Sequence, residues 1–172
     1  SFGSPLDKRK VLPLVSGTVW TGMLELNRMA FSDRLPRNSE SRCMAVAFRL
    51  IKKHYPHIEW ILSFSDGCQC GDGTIYRASG FVLTSIKKNN SIWRAPTGES
   101  FAETSLRPGI GGSAAIKKAE AISRKTMTKG AHLAASGGRS SMQRFKDAGW
   151  KPIEGYQLRY IYFLNPEAKA RL

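Results

Sequence analysis

The feature that most constrains the fold of this chain is an amphipathic helix pattern followed directly by an apolar strand pattern. Apolar residues recur at helical spacing from residue 42 onward, with Val46, Leu50 and Ile51 on one predicted face and basic residues on the other. Pro56 ends the pattern, because proline cannot continue a helix. The short apolar run Ile58–Phe64 that follows is typical of a buried strand. The sequence therefore predicts a helix and a buried strand joined by a short loop.

Further patterns place other elements on both sides of this pair. The helix is predicted to begin near Ser39, whose hydroxyl makes it a favourable N-cap residue. Upstream, Val11–Gly17 and Thr18–Arg28 are predicted as strands that pair as a hairpin, after a flexible arm over residues 1–10. The downstream predictions are a short helix closed by Gly80, a strand Phe81–Ile86, helices over Ser113–Lys125 and Ser140–Ala148, and an aromatic strand Gln157–Leu164.

These elements predict an α/β (α+β) class, with a central mixed β-sheet flanked by helices. At 172 residues the chain suits one domain over residues 1–172. Residues 87–155 are rich in turn signals and basic residues, and they form a predicted loop and helical insertion before the last strand.

The charge of the chain indicates a polyanionic partner. The 27 Lys+Arg and 13 Asp+Glu give a formal net charge of +14, and residues 87–155 carry a net +8 of it. Such an excess costs self-repulsion in the compact state, and nucleic acid is a common reason to tolerate it.

Membrane and secreted proteins are not expected from this pattern. There is no apolar run of about 18 residues that would span a bilayer, and the basic start of the chain lacks the apolar region of a signal peptide. Cys43, Cys68 and Cys70 make an odd count, typical of free thiols in a reducing compartment. We therefore expect a cytoplasmic protein with no membrane partner.

The segment Pro36–Arg42, P-R-N-S-E-S-R, joins a strand to the start of the long helix. A helix N-terminus offers unpaired backbone N–H groups and a partial positive charge, to which Arg37 and Arg42 add. This combination suits a phosphate or pyrophosphate group. The alternative is that N-S-E-S only caps the helix, with Glu40 near the positive end of its dipole.

A second motif combines S-F-S-D-G, a glycine-rich loop and I-Y-R-A-S-G-F. It places Asp66 at the end of the buried strand and brings Tyr76, on the short helix, near the open end of that strand. A tyrosine at such a place can donate a proton to a leaving thiolate. The alternative is that Tyr76 simply packs with its hydroxyl at the surface.

Two resemblances to known families rest on these motifs. The order strand–strand–loop–helix–strand–helix–strand, with I-Y-R-A-S-G-F at the second helix, resembles the acyl-CoA N-acyltransferase (GNAT) fold. That fold often has an L-Y-x-x-x-G-F segment with its Tyr beside the CoA sulfur, and a usually Gly-rich loop that grips the CoA pyrophosphate. Here the loop is R-N-S-E-S-R. The blocks E-L-N-R-x-x-F-x-D-x-L-P-R-N-S-E-S-R, S-F-S-D, G-D-G-T-I-Y-R-A-S-G-F and R-Y-I-Y-F-L resemble the Mom family of bacteriophage DNA-modification enzymes.

The resemblance to the Mom family implies an enzyme that converts adenine in double-stranded DNA to N6-carbamoylmethyl (acetamido-type) adenine. The modification would protect phage DNA from host restriction, in the cytoplasm of the infected cell. A single GNAT-like domain and acetyl-CoA or a related acyl donor are implied too. Iron has been proposed for the family; the sequence leaves the metal and a homodimer open. By analogy the donor's phosphate cradle is Arg37, Asn38, Ser39, Ser41 and Arg42.

The catalytic roles are hypotheses from the same resemblance. Tyr76 is the predicted acid or donor-orienting hydroxyl, and Asp66 is the predicted carboxylate of the cleft. Glu40 is predicted to act as a base or to orient a neighbouring arginine. Asp33 and Ser65 are further candidates.

Metal ligands, if a metal binds, would come from His54, His57, Asp66 or a cysteine. The alternative for both histidines is that they only decorate the helix end.

Contact with DNA is expected mainly in residues 87–155, where basic side chains would hold phosphates. Adenine N6 is paired in a duplex, so the target base should be flipped out, with Phe31, Trp93 or Tyr76 stacked on it. Trp150 is expected in the core. The predicted DNA contacts are Arg28, Lys87, Lys88, Trp93, Arg94, Lys117, Lys118, Arg124, Lys125, Arg139 and Arg144.

Two other functions stay open at this point. An ordinary GNAT N-acetyltransferase, acting on a protein or small-molecule amine, would share the donor site but would not need the basic excess. A non-catalytic DNA-binding module would need neither the glycine-rich loop nor the Tyr76 helix. Donor binding without DNA affinity would favour the first, and DNA binding without donor binding would favour the second.

Overall fold

The computed structural model describes residues 1–5, 7–68, 71–107, 113–126 and 141–172. The chain forms two compact units, the first made of Ser1–Lys87 and Gln157–Leu172 and the second of Lys88–Tyr156. The second unit covers nearly the same residues as the basic segment 87–155. No helix in these described ranges is long and apolar enough to cross a membrane.

The elements follow one another along the chain as a mixture of helices and strands. Three 3-10 helices lie at Leu12–Leu14, Trp20–Gly22 and Pro166–Arg171. The others are β1 (Phe2–Gly3), α1 (Lys8–Val11), β2 (Met23–Leu26), α2 (Ser39–His54), β3 (Trp60–Asp66), α3 (Thr74–Ala78), β4 (Val82–Asn89), β5 (Ile92–Arg94), β6 (Ser100–Ala102), α4 (Glu103–Leu106), α5 (Ser113–Thr126), α6 (Ser141–Asp147), β7 (Lys151–Pro152) and β8 (Gly155–Phe163).

The first unit is built on a five-stranded sheet with the order β1-β2-β3-β8-β4. β2 pairs with β3 in parallel, β1 pairs with β2 antiparallel, and β3 pairs with β8 antiparallel over its whole length. The predicted mixed sheet with flanking helices is thereby confirmed. The pairing of β2 with β3 ends at Glu25↔Leu62, whereas β3 continues to Asp66. β3 therefore extends beyond the carboxyl end of β2.

The central strand β3 separates two hydrophobic clusters, because successive side chains point to opposite faces of a sheet. Ile61 joins the cluster of α2, with Phe48 and Tyr160. Trp60 and Leu62 join a second cluster, to which Val15, directly after the first 3-10 helix, also belongs. The predicted buried strand is confirmed, and helical segments cover both of its faces.

The predicted hairpin of Val11–Gly17 with Thr18–Arg28 is wrong. Residues 8–14 form helical turns, and only Met23–Leu26 form a strand, which pairs with β1 and β3. Pro13 explains part of the difference, since it has no N–H for a sheet and its fixed φ suits a first helical turn. Residues 1–10, expected as a flexible arm, include β1 at the sheet edge and α1.

The long helix α2 is where the pattern predicts it, but its buried face is different. Met44, Phe48 and Ile51 are buried, while Val46 is 46% and Leu50 is 52% exposed. The helix has two apolar stripes, and the stripe that contains the larger side chain, Phe48, is the one that is buried. The Phe48 ring stacks on Tyr162 with 4.3 Å between centroids. Ile51 belongs to the buried stripe, as predicted.

The second unit has its own core and a small three-stranded sheet in the order β6-β5-β7. These short strands, and the turn of helix α4, lie partly in residues 87–112, which the sequence predicts as loops. α5 and α6 agree with the predicted helices, and α6 is followed by Gly149 at φ +83°, a backbone conformation that favours glycine. Trp150 is buried in this core, as expected.

Candidate active site

A cleft of about 510 Å³ lies at the carboxyl end of β3. Ligands of open α/β sheets bind outside the carboxyl ends of parallel strands, so this is a favourable position for a site. The structure brings three of the predicted catalytic residues, Ser65, Asp66 and Tyr76, into the lining of this one cleft. The rest of its lining comes from Met29, Phe64 and the loop Gly71–Ile75.

Asp66 and Ser65 both hold the loop that follows β3. The Asp66 carboxylate accepts a hydrogen bond from the backbone N–H of Cys68 at 2.9 Å. Burial and the Asp66 carboxylate raise the pKa of the Cys68 thiol, so this cysteine stays protonated. Ser65 is buried and donates its hydroxyl to the carbonyl of Gly71 at 3.1 Å. Ser65 is therefore a positioning residue for the loop.

Tyr76 lies on α3, half-buried between two other aromatic rings. Its ring packs edge-on against Phe81, with centroids 5.2 Å apart, and is tilted against Tyr160 at 5.4 Å. These contacts fix the ring, while the hydroxyl has no hydrogen-bond partner among the residues that the structure describes. A fixed, unengaged hydroxyl in a cleft is free to bind or protonate a ligand.

The loop between β3 and α3 is shaped by Tyr160, which the sequence analysis did not single out. Tyr160 is fully buried on β8 and donates its hydroxyl to the carbonyl of Asp72 at 2.6 Å. Its ring passes so close to Gly73 that a Cβ there would lie 2.5 Å from Tyr160 Cε2. In the sequence, the glycines of the loop are the only sign of a close approach by another part of the chain. Tyr160, which is 87 residues from Gly73, has no local pattern that marks it as the residue in contact.

Asp72 is a second carboxylate on this loop that was not predicted. Hydrogen bonds from the Thr74 hydroxyl and from the Arg77 guanidinium lower the pKa of Asp72. The Arg77 contact is an exposed ion pair, and such pairs contribute little to stability. Asp72 thus stays ionised and closes the N-terminus of α3.

The start of α2 differs from the prediction. Asn38, not Ser39, occupies the N-cap position, with φ +66° and no side-chain capping bond. Ser39 donates its hydroxyl to the Pro36 carbonyl at 2.6 Å, because the chain turns one residue earlier than expected. The Ser41 hydroxyl accepts a hydrogen bond from Ser79, the last residue before Gly80, at 3.2 Å. No side chain therefore caps the first N–H groups of α2.

The charged residues near this helix start face solvent. Asp33, Arg37 and Arg42 are exposed, and Glu40 is half-buried in the first turn of α2. A smaller cavity of about 180 Å³, lined by Phe31 and Arg28 among others, lies between β2 and α2 and shares Met29 with the cleft. The start of α2 and the cleft thus lie in the same part of the first unit.

Glu25 is a buried-face carboxylate that sequence reasoning missed. It occupies the last position at which β2 pairs with β3, opposite Leu62. Burial raises the pKa of Glu25, and it has no ion pair or hydrogen bond within the described part of the chain. No periodicity in the sequence distinguished it from a solvent-exposed glutamate.

The metal hypothesis does not fit the described residues. Across residues 1–5, 7–68, 71–107, 113–126 and 141–172, no three His, Cys, Asp or Glu side chains form a group that could hold a metal ion. His57 packs instead against the Tyr55 ring, with centroids 6.3 Å apart.

Most of the predicted DNA contacts are exposed cations, but Trp93 is not available. It is 6% exposed in the core of the second unit, so stacking on a base does not fit its position. Arg139 lies outside the described residues. Three cations form exposed ion pairs: Lys88 with Glu154, Lys118 with Glu99 and Arg144 with Glu120. Exposed without an ion pair to a described residue are Arg28, Lys87, Arg94, Lys117 and Lys125, and Arg124 is exposed as well.

Comparison with known proteins gives two findings. A family model described as the Mom protein family matches residues 1–172. The protein named "Methylcarbamoylase mom" of Escherichia phage Mu is 35% identical over an alignment of 172 positions, which covers 99% of this chain and 60% of that relative. The chain thus spans 60% of the length of the curated relative that it matches.

Proposed function

The chain belongs to the Mom protein family, and from this premise we propose that it modifies adenine in double-stranded DNA at the cleft at the carboxyl end of β3. The product is N6-carbamoylmethyl adenine, and the modification protects phage DNA from host restriction. The relative of phage Mu is named a methylcarbamoylase, which supports a group-transfer enzyme. The net charge of +14 supports a polyanionic substrate.

The observation that carries the proposal is the cleft itself. β3 extends beyond the end of its parallel neighbour β2, and the cleft at its carboxyl end is lined by both Asp66 and Tyr76. A volume of about 510 Å³ is in the range of small-molecule sites, which suits a flipped-out base with part of a donor. A carboxylate and a free phenol at one opening are an acid–base pair in position for group transfer.

The donor in this proposal is a relative of acetyl-CoA, held at the start of α2. Transfer of an acetyl group would give N6-acetyladenine, so the group transferred from this donor is carbamoylmethyl. The uncapped N–H groups of the first turn, together with Arg37 and Arg42, form a site with the charge and geometry that a pyrophosphate requires. Glu40 is a carboxylate in the same turn, and in this proposal it serves as a base or orients Arg28 or Arg42 when the donor binds. The order of elements from β2 to β4 supports a GNAT-like fold in a single domain, with the second unit as its insertion.

The chain's own residues have separate tasks in this mechanism. Adenine N6 bonds to the CH2 carbon of a carbamoylmethyl group on the bound donor, and the bond from that carbon to the donor's leaving group breaks. Asp66 accepts the proton that N6 loses as that bond forms, and Tyr76 orients the donor or protonates its leaving group. Ser65 positions the loop after β3 through its hydrogen bond to the Gly71 carbonyl. Because N6 of a paired adenine is held in the duplex, the base is flipped out before it reacts.

The experiment is mass spectrometry of nucleosides from plasmid DNA, taken from cells that express the full-length protein carrying this sequence. We expect a deoxyadenosine whose mass has increased by an acetamido group. Tyr76→Phe and Asp66→Asn should lower its yield by roughly 100-fold or more, the usual contribution of a general acid or base. Tyr55→Phe, which removes an exposed hydroxyl at the end of α2, is the matched control and should keep full activity.

Other results would support the competing functions. Unmodified adenine from a folded protein that transfers acyl groups to amines would identify an ordinary N-acetyltransferase. DNA binding with no donor binding and no modified base would identify a non-catalytic module. Full activity of Tyr76→Phe and Asp66→Asn would contradict the proposed site while leaving the modification itself established.

A further inference from the structure

A second groove, of about 240 Å³, lies beside the cleft in the first unit. We call it the basic groove. Phe64 lines both the groove and the cleft, so the two are neighbours along β3. The polar and charged residues that line it are Lys10, Ser85, Lys87, Gln157 and Arg159, and none of the lining residues that the structure describes is acidic.

Arg159 is the central cation of the basic groove. Its Nε donates to the Thr84 hydroxyl at 3.0 Å, which fixes the guanidinium on the sheet. Arg159 is only partly exposed, and it has no ion pair with any residue that the structure describes. Burial lowers the pKa of Arg159, because no carboxylate compensates its charge. A partly buried, oriented and unpaired guanidinium is suited to an anion from outside the chain.

The neighbours of Arg159 add a second cation and an aromatic ring. Phe64 stands opposite Arg159 in the pairing of β3 with β8, and its side chain is 36% exposed. Lys87 is exposed and without an ion pair to a described residue, whereas Lys10 is paired with Asp7 at 2.9 Å. Cations beside an exposed aromatic ring are the combination that binds a nucleotide strand, with phosphates on the cations and a base on the ring.

We propose that the basic groove binds the phosphate backbone of the DNA strand whose adenine enters the cleft. Arg159 and Lys87 contact the phosphate oxygens next to the target nucleotide, and the ring of Phe64 stacks on its base at the border of groove and cleft. The proposal rests on the proposed function and adds to it a substrate-binding surface within the first unit. Such a surface would hold the target strand in a fixed position relative to Asp66. Binding of DNA by the cations of the second unit would not by itself fix that position.

The test is binding of a labelled, adenine-containing duplex by the full-length protein at several salt concentrations. Arg159→Gln and Lys87→Gln should each weaken binding by about 10-fold and lower the slope of log K against log salt by about 0.9, the value for one lost phosphate contact. Arg159→Lys keeps the charge and should keep most of the slope. Arg49→Gln, an exposed arginine on α2, is the control and should leave the slope unchanged.

The remaining variants separate the base from the phosphate and guard against misfolding. Phe64→Leu should weaken binding of single-stranded DNA by roughly 10-fold, the effect of losing one stacked base, without changing the salt slope. Because Lys87 is exposed, Lys87→Gln carries the test even where Arg159→Gln does not fold.

A nucleotide-containing donor such as CoA has the same phosphate and base chemistry, so CoA binding is measured on the same variants. Weaker CoA binding with unchanged DNA binding would overturn the proposal and make the groove a donor site. If the wild type modifies DNA but Arg159→Gln and Lys87→Gln bind it with the same affinity and salt slope as Arg49→Gln, the proposed role of the basic groove is wrong. The proposed function is then unaffected. A wild type that neither binds nor modifies DNA would overturn the groove and the proposed function together.

Discussion

Replacing Gly73 by alanine tests the contact that shapes the loop of the cleft. Gly73 has φ +73°, and a Cβ at this position would lie 2.5 Å from Cε2 and 2.7 Å from the hydroxyl oxygen of Tyr160. The Tyr160 ring cannot move aside, because it is fully buried and its hydroxyl is bonded to the Asp72 carbonyl. The substitution therefore meets both a strained backbone and a fixed ring.

The expected loss of stability is the sum of these two effects. An alanine in the left-handed region costs about 1–2 kcal/mol. Forcing a methyl group into a packed site costs about 1–3 kcal/mol more. Gly73→Ala should thus lower the free energy of unfolding by about 2–5 kcal/mol, or the midpoint of thermal unfolding by roughly 5–15 °C in a chain of this size.

Gly71→Ala is a matched control on the same loop. Gly71 has nearly the same backbone angle, φ +74°, but a Cβ there would have no heavy atom within 4 Å. Only the backbone cost of about 1–2 kcal/mol applies to it. The assay is thermal and urea unfolding of both variants, followed by circular dichroism. When Tyr160 is already replaced by leucine, Gly73→Ala should cost no more than Gly71→Ala. The difference from its cost in the wild type is the coupling energy between Gly73 and Tyr160.

Equal stabilities of Gly73→Ala and Gly71→Ala would refute this reasoning, since they would show that the ring of Tyr160 does not restrict the loop. A destabilised Gly73→Ala with no coupling to Tyr160→Leu would refute it too. In that case the cost would come from the backbone or from another neighbour.

Two further predictions concern buried polar groups of the sheet. The raised pKa of Glu25 means that folding favours the neutral form of this carboxyl group. The stability that the neutral form contributes is therefore fully present below the pKa of Glu25 in the unfolded chain. It is lost as the pH rises through the pKa of Glu25 in the folded protein. Glu25→Gln should therefore unfold at a higher temperature than the wild type at about pH 8 but not at about pH 4, and a gap that is the same at both would count against this. Ser63 is buried with an unpartnered hydroxyl, while Ser65, two residues along the same strand, donates to Gly71. Ser63→Ala should leave the free energy of unfolding unchanged or raise it, and Ser65→Ala should lower it by about 1 kcal/mol. Urea unfolding of both variants measures these changes. A larger loss of stability in Ser63→Ala than in Ser65→Ala would contradict the reasoning.

The local patterns of the sequence were sufficient for several elements. α2, β3, α3 with Gly80 after it, and β8 lie close to their predicted positions. Each has a periodicity or a terminating residue that can be recognised within about ten residues of chain. The residues of the cleft on β3 and α3 could be named for the same reason, because each stands at the end of such an element.

Other features could not be predicted from local patterns. Val11 and Val15 have strand propensity, yet they lie in and next to helical turns and pack beneath Trp60. On α2, Val46 and Phe48 belong to different apolar stripes, and only the aromatic partners on the sheet decide which one is buried. Packing against distant residues overrides the local preference in both cases.

The sequence by itself determined the main helices and strands of this protein, its positive charge and the kinds of side chain at the ends of β3 and α3. Only the tertiary structure decided that β8 lies beside β3, which places Tyr160 against Gly73 and Arg159 opposite Phe64. These pairs join residues that are 87 and 95 positions apart along the chain. Strand order and register are set by which faces can be buried together, and that is a property of the whole chain rather than of any segment.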